Sequence, residues 1–195
     1  LSNLGAQSVD VELMSRMNGF IFLDGGGTTG LWGYGYVGDA FIKLPAPLLE
    51  FELGDSVNIH FTNESPESHT IHLHGLDVDQ VNDGVPSTSF YVVPDETVTY
   101  SFNADNPGTF LYHCHVTTTI HLTMGMYGMI SVNGPDGHIF EGGPGYTNVY
   151  HFLSSDLEVE TNDAPTDAFP FHEIYPDYFM INGKSGATLE GSVDE

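Results

Sequence analysis

Cysteine occurs once in this chain of 195 residues, at Cys114. One such sulfur excludes an internal disulfide, and it excludes a metal pair bridged by two thiolates. Basic side chains are nearly as scarce: Arg16, Lys43 and Lys184 stand against 27 carboxylates, for a formal charge of -24. A surface of that sign repels nucleic acid, anionic membranes and heavily phosphorylated substrates, and it steers a basic partner. No apolar run approaches the roughly 20 residues that cross a bilayer as a helix, so no membrane span is expected. Residues 1–16 lack the basic-then-apolar order of a signal peptide, an order that a mature chain would already have shed.

A sustained 3.6-residue apolar period of helical length is missing as well. What the chain has instead is short alternating runs set off by turn residues. Residues 48–53 and 57–62 read as strands joined across Gly54-Asp55, with Val57, Ile59 and Phe61 on one face. Residues 96–102 alternate in the same way, 108–113 and 126–132 are apolar, and 20–23 and 31–37 flank Gly25, Gly26 and Gly27. Many short strands with turn signals predict an all-β, Greek-key β-sandwich. Beyond Val132 the texture changes to a glycine- and proline-rich loop over 133–146, a further strand over 147–153 and an acidic exposed loop over 154–168. Residues 169–181 carry Phe169, Phe171, Tyr175, Tyr178 and Phe179, and are expected to pack against their own domain or a neighbouring subunit.

The chemistry is concentrated in two stretches. His113-Cys114-His115 is followed by His121, Met124, Met126 and Met129, and upstream lies His69-Thr70-Ile71-His72-Leu73-His74-Gly75. A thiolate, imidazoles and a thioether are the donors of a type 1 copper centre, which takes two histidines and a cysteine in a near-trigonal plane with a weak axial ligand. His69, Cys114 and His121 are the expected ligands, with Met126 axial. Side chains alternate along a strand, so if Cys114 faces one copper then His113 and His115 face away from it together. The same parity pairs His72 with His74, and the four imidazoles form a possible second metal site. His60 falls among the polar positions of its strand, and His138, His151 and His172 are isolated.

The H-x-x-H-x-H-G and H-C-H motifs, with Asp83-Gly84-Val85-Pro86 and Pro107 through His113, resemble the multicopper oxidases over residues 44–132. Tyr178 through Lys184 resembles the start of a following oxidase domain. The resemblance implies a cupredoxin domain over 1–135 and a C-terminal extension over 136–195. It also implies type 1 copper on His69, Cys114 and His121, and half of an oxidase's trinuclear cluster on His72, His74, His113 and His115. Copper nitrite reductases share the spacing of His69 and His74, but they carry a catalytic aspartate where this chain has His72. Six residues separate Cys114 from His121, more than in most oxidases, and in size and acidity the chain is similar to the single-domain purple cupredoxins of archaeal ammonia oxidisers.

The expectation is a mononuclear type 1 copper redox protein, homotrimeric and extracytoplasmic, serving electron transfer with a basic redox partner protein. A small gas or nitrogen oxide is a further expected ligand, with an open copper oxidising nitric oxide to nitrite. The alternative is an oxidase-like or nitrite-reductase-like enzyme with a further copper at a subunit interface.

Overall fold

The computed structural model describes residues 6–168 and 173–193. Its first half opens with a long hairpin, β1 (Ser8–Phe22) and β2 (Thr28–Tyr36), turning at the glycine cluster. There follow β3 (Leu49–Glu52), β4 (Ser56–Asn63), β5 (His72–His74), β6 (Thr97–Asn103), β7 (Gly108–His113), the short helix α1 (Thr118–Thr123) and β8 (Tyr127–Asn133). The extension holds β9 (Ser154–Leu157), α2 (Val159–Asp163), α3 (Pro165–Ala168), β10 (Tyr178–Ile181) and α4 (Gly186–Val193).

Two four-stranded sheets, ordered β2-β1-β4-β6 and β3-β8-β7-β5, enclose one core. β1 runs parallel to β4 and β3 parallel to β8, while the other pairings are antiparallel. The alternation read from the sequence is what fills the space between the sheets. Val57, Ile59 and Phe61 of β4 are wholly buried, and Tyr34, Tyr100 and Phe102 from the same sheet meet Phe51, Tyr112 and Ile130 from the other. Rings cross the gap edge to face, as Phe51 does with Phe102 at 5.8 Å between centroids. The all-β sandwich is as expected. β1 begins far upstream of the run expected at 20–23, because Val9, Val11 and Leu13 alternate with Asp10 and Glu12 in register with β4.

The extension departs from expectation. Residues 147–153 form no strand; Tyr150 and Phe152 point into solvent, and the strand is displaced to β9, where β10 offers a partner. Residues 154–168 are not a loose acidic loop, since they hold β9, α2 and α3, with Leu157, Thr161 and Asn162 buried. Tyr175 and Phe179 are exposed in this chain, while Phe169, Phe171 and His172 lie outside the described residues.

α2 is fastened to the hairpin. Asn162 donates its amide to the Gly30 carbonyl at 3.0 Å, and the Asp163 carboxylate accepts the Thr29 hydroxyl at 2.6 Å. Gly30 is required there: a Cβ would stand 2.6 Å from the Asn162 carbonyl oxygen. Further along, the Asp24 carboxylate accepts the Ala187 N–H at 3.2 Å, at the start of α4. The hairpin also reaches the turn that closes α1, because Trp32 N–H donates to the Met124 carbonyl at 2.9 Å. Asn162→Ala is therefore expected to cost about 1–3 kcal/mol, the range for a buried group left without its partner. Urea unfolding of the two proteins measures it, and equal midpoints would show that this fastening contributes nothing.

Candidate metal centres

Three separate elements bring together His69, Cys114 and His121. His69 sits on an isolated bridge to Val92, with both main-chain bonds at 3.0 Å. Cys114 follows β7, where its N–H reaches the Met126 carbonyl at 3.1 Å. After His115, Val116 and Thr117 the chain enters α1, so His121 is delivered from a helical turn and its N–H is held by the Thr117 carbonyl at 3.2 Å. Thr117 enters that turn with φ near 41°, a left-handed conformation that a β-branched residue adopts only under constraint.

The result is a compact donor set. The Cys114 sulfur lies 3.1 Å from Nδ1 of His121 and 3.6 Å from Nδ1 of His69. Three donors held about 2 Å from a shared ion in one plane stand roughly 3.5 Å apart, so these separations leave room for a metal among them. All three residues are buried, and Met126, wholly buried too, belongs to the same core cluster as Cys114. Burial pushes the Cys114 thiol up, and the smaller downward pull of the nearby Thr70 and Val116 main chain and the Tyr34 and Thr70 hydroxyls does not reverse it. Burial, with the neighbouring His121, pushes His69 down to about 3, and burial alone takes His121 to about 4. Both rings are thus neutral and free to bind metal at ordinary pH. Trp32 stands edge-on to the His121 ring at 5.6 Å, and the exposed Glu67 carboxylate lies 3.8 Å from His121 Nε2.

The expected parity holds at the second cluster. β5 is the last strand of its sheet and pairs His72 with His113 across to β7. Ligand atoms of His72, His74 and His113 all lie within 4.8 Å of one another. Nδ1 of His74 is 3.2 Å from Nε2 of His113, and the His115 ring stands 5.2 Å from that of His72. His72 Nδ1 lies 2.6 Å from the Asp83 carbonyl oxygen, and His113 Nδ1 lies 3.0 Å from the Cys114 carbonyl oxygen. These bonds turn the opposite ring nitrogens outward, as a partner carbonyl does for a metal-binding histidine. Burial lowers the basicity of His113 despite that bond.

Three supporting residues were not legible as such. The Asp83 carboxylate lies 3.4 Å from His72 Nδ1, so a carboxylate does border the second cluster. The signal was the following glycine: at φ 73°, Gly84 packs so tightly that a Cβ would meet the Ile71 carbonyl oxygen at 1.9 Å. Trp32 and Glu67 come from segments with no motif, and only the fold carries them to His121. His60 instead pairs with Asp10 and Thr99 on the sheet surface, at 3.1 and 2.9 Å. Among the described residues, His138 and His151 join neither cluster.

The chain is similar to known copper proteins. The multicopper oxidase family model matches residues 42–137. The chain is 34% identical to copper resistance protein A of Escherichia coli over 71% of its own length and 22% of that protein. It is 27% identical to the copper-containing nitrite reductase of Neisseria meningitidis over 74% of its length and 37% of that enzyme. Among solved structures, the blue copper oxidase of Nitrosomonas europaea superposes with a TM-score of 0.76 at 31% identity, over 92% of this chain and 54% of the other. The copper nitrite reductase of the same organism gives 0.68 at 25% identity, over 91% and 56%. The chain thus spans well under half the length of those curated relatives and about half of those solved chains.

The two depressed imidazoles carry a pH dependence. Unfolded, they titrate near 6.5, so below that pH the unfolded chain binds more protons than the folded one. Their contribution is fully present above 6.5 and is lost as pH falls through about 4 for His121 and about 3 for His69. The metal-free protein should lose stability over that window relative to His69→Asn, which has one such ring fewer. Urea midpoints of both proteins against pH check this, and parallel curves would mean that His69 titrates alike in the folded and unfolded chain.

Proposed function

We propose that this chain, which carries a cupredoxin domain of the multicopper oxidase and copper nitrite reductase type, is a one-electron redox protein centred on mononuclear type 1 copper. The observation that carries the reading is the convergence of Cys114 sulfur with Nδ1 of both His69 and His121 in a fully buried setting. Soft thiolate and neutral imidazole donors fit copper, and bound there it would exchange one electron at a time. His69, Cys114 and His121 would hold it, with Met126 as axial donor from the same core cluster. These residues keep water away and are fixed by main-chain bonds, and the two imidazoles stay unprotonated, so the ligands need little rearrangement when an electron arrives or leaves.

Electron transfer is the role this geometry supports best. A charge of -24 steers a basic redox partner protein. Burial of all three ligands and Met126, with Trp32 edge-on to His121, closes the centre to all but the smallest molecules. Nitric oxide is neutral and small, so it is the nitrogen oxide that such a surface would admit; anionic nitrite is disfavoured as substrate. Oxidation of nitric oxide takes one electron out, adds an oxygen from water and leaves nitrite and two protons. We place this work outside the cytoplasm, on the likeness to copper resistance protein A. No helix among the described residues is long and apolar enough to cross a membrane.

One observation favours the second reading, an oxidase-like or nitrite-reductase-like enzyme. His72, His74, His113 and His115 form an edge cluster beside the Asp83 carboxylate, which supplies a proton-handling group of the kind that oxygen or nitrite reduction requires. Its open side would be closed by a second copy of the chain in a homotrimer, for which the exposed Tyr150, Phe152, Tyr175 and Phe179 offer apolar surface.

Metal content separates the readings. For the electron carrier, copper-loaded protein should hold one copper per chain, and His72→Ala and His113→Ala should keep it. A second copper lost in both variants would establish the enzyme reading. Met126→Leu, a near-isosteric change costing under about 1.5 kcal/mol, should shift the visible and electron paramagnetic resonance spectra; unchanged spectra would remove Met126 from the ligand set. The paired change Tyr175→Ser and Phe179→Ser should turn a trimer into monomers by light scattering, and an intact trimer would place the interface elsewhere.

A further inference from the structure

The ring of His69 lacks a support that other histidines of the two clusters have. Nδ1 of His72 and of His113 each lies against a carbonyl oxygen, whereas Nε2 of His69 is buried and meets no hydrogen-bond partner among the described residues. With that nitrogen untied, the aim of Nδ1 at the Cys114 sulfur depends on how firmly the His69 main chain is held. That main chain rests on the bridge to Val92.

Asn63, wholly buried at the end of β4, fastens the chain on both sides of that bridge. Its amide nitrogen donates to the Val92 carbonyl at 2.8 Å, the same oxygen that accepts the His69 N–H at 3.0 Å. The second amide hydrogen goes to the Glu67 carbonyl at 2.7 Å, two residues ahead of His69. Oδ1 accepts the Ser65 N–H at 3.0 Å and the buried Ser15 hydroxyl of β1 at 2.9 Å. Two carbonyls on the nitrogen and an N–H on the oxygen leave the amide a single orientation, with both hydrogens and both lone pairs used. The Asn63 main chain is tied as well: its N–H donates to the Glu96 carbonyl at 2.9 Å, and its carbonyl accepts the Asp95 N–H at 2.8 Å. A buried polar network satisfied this fully is rigid.

We propose that Asn63 is a positioning residue for the redox centre: its amide clamps the Glu67 and Val92 carbonyls and so holds His69 in place as a metal ligand. The inference rests on the type 1 copper reading. Removing a group that orients a ligand from behind costs roughly 10–100-fold in metal affinity. Loosening His69 also alters the geometry at the metal, which the spectra report. Ser15 supplies an internal comparison. It bonds the oxygen side of the same amide, and Ser15→Ala leaves the hold on Glu67 and Val92 in place.

The test uses the full chain as wild type, Asn63→Ala and Ser15→Ala. Competition with bicinchoninate for Cu(I), visible and electron paramagnetic resonance spectra of the copper-loaded forms, and urea unfolding of the metal-free forms are recorded for all three. Asn63→Ala should bind copper roughly 10–100-fold more weakly, with its thiolate charge-transfer band and copper hyperfine splitting shifted. Ser15→Ala should lose stability while keeping the wild-type affinity and spectra. Wild-type affinity and spectra in Asn63→Ala would overturn the proposal, since the network would then serve folding alone. An equal loss of affinity in both variants would also overturn it, by assigning the effect to general loosening. If Asn63→Ala does not fold, Asn63→Ser, which keeps a hydroxyl at the site, is read in the same way. Failure of both to fold beside a folded Ser15→Ala would overturn the positioning role. A wild-type protein without any thiolate band would instead overturn the copper reading and this inference with it.

Discussion

A thiol and two imidazoles shut away from water at one end of the sandwich are the constraint to which the rest of the structure answers. Each loses hydration on burial, and protein groups replace it only in part: the Cys114 thiol is pushed up and both histidines are pushed down. A metal ion offsets that loss at all three at once, and its binding free energy then adds to the stability of the fold. The surrounding elements keep the donors converged. The His69 bridge to Val92, the Met126 carbonyl on Cys114 and the strained Thr117 at the head of α1 each remove freedom from one ligand.

Strand geometry couples that centre to the second cluster. Cys114 faces inward, so His113 and His115 must face the other way, and the pairing of β5 with β7 sets His72 opposite His113. The Cys114 thiol is therefore one peptide unit from either histidine. β5 lies at the edge of its sheet, and the Asp83 carboxylate stands 3.4 Å from Nδ1 of His72 on that strand. A closed, dry centre thus adjoins a partly solvated one, with Thr70 and Ile71 as the backbone between them that the buried Tyr34 and Tyr100 hold.

The two-residue alternation of β4 and β6 was readable because one face of each meets the core, and β7 and β8 stood out as apolar runs between turns. The extension was read poorly for the complementary reason. The β-rich residues Tyr150 and Phe152 have no strand to pair with, whereas the unpromising Ser154–Leu157 pairs with Tyr178–Ile181. Propensity there was overruled by the availability of a partner. The buried Asn162 likewise looked like a loop residue, and only its bond to Gly30, 132 positions away, explains its burial.

The sequence by itself determined the donor chemistry, because a lone cysteine among histidines at strand spacing dictates both the ligand types and the faces they present. Local spacing is enough for that, since side-chain parity along a strand is a property of a few adjacent residues. Only the tertiary structure decided which distant groups surround those donors. Tyr34 and Tyr100 beneath Thr70-Ile71, Trp32 and Glu67 beside His121, and Asp83 beside His72 arrive from other elements. The physical reason is that contacts between segments dozens of residues apart depend on sheet order and register, which no local pattern encodes.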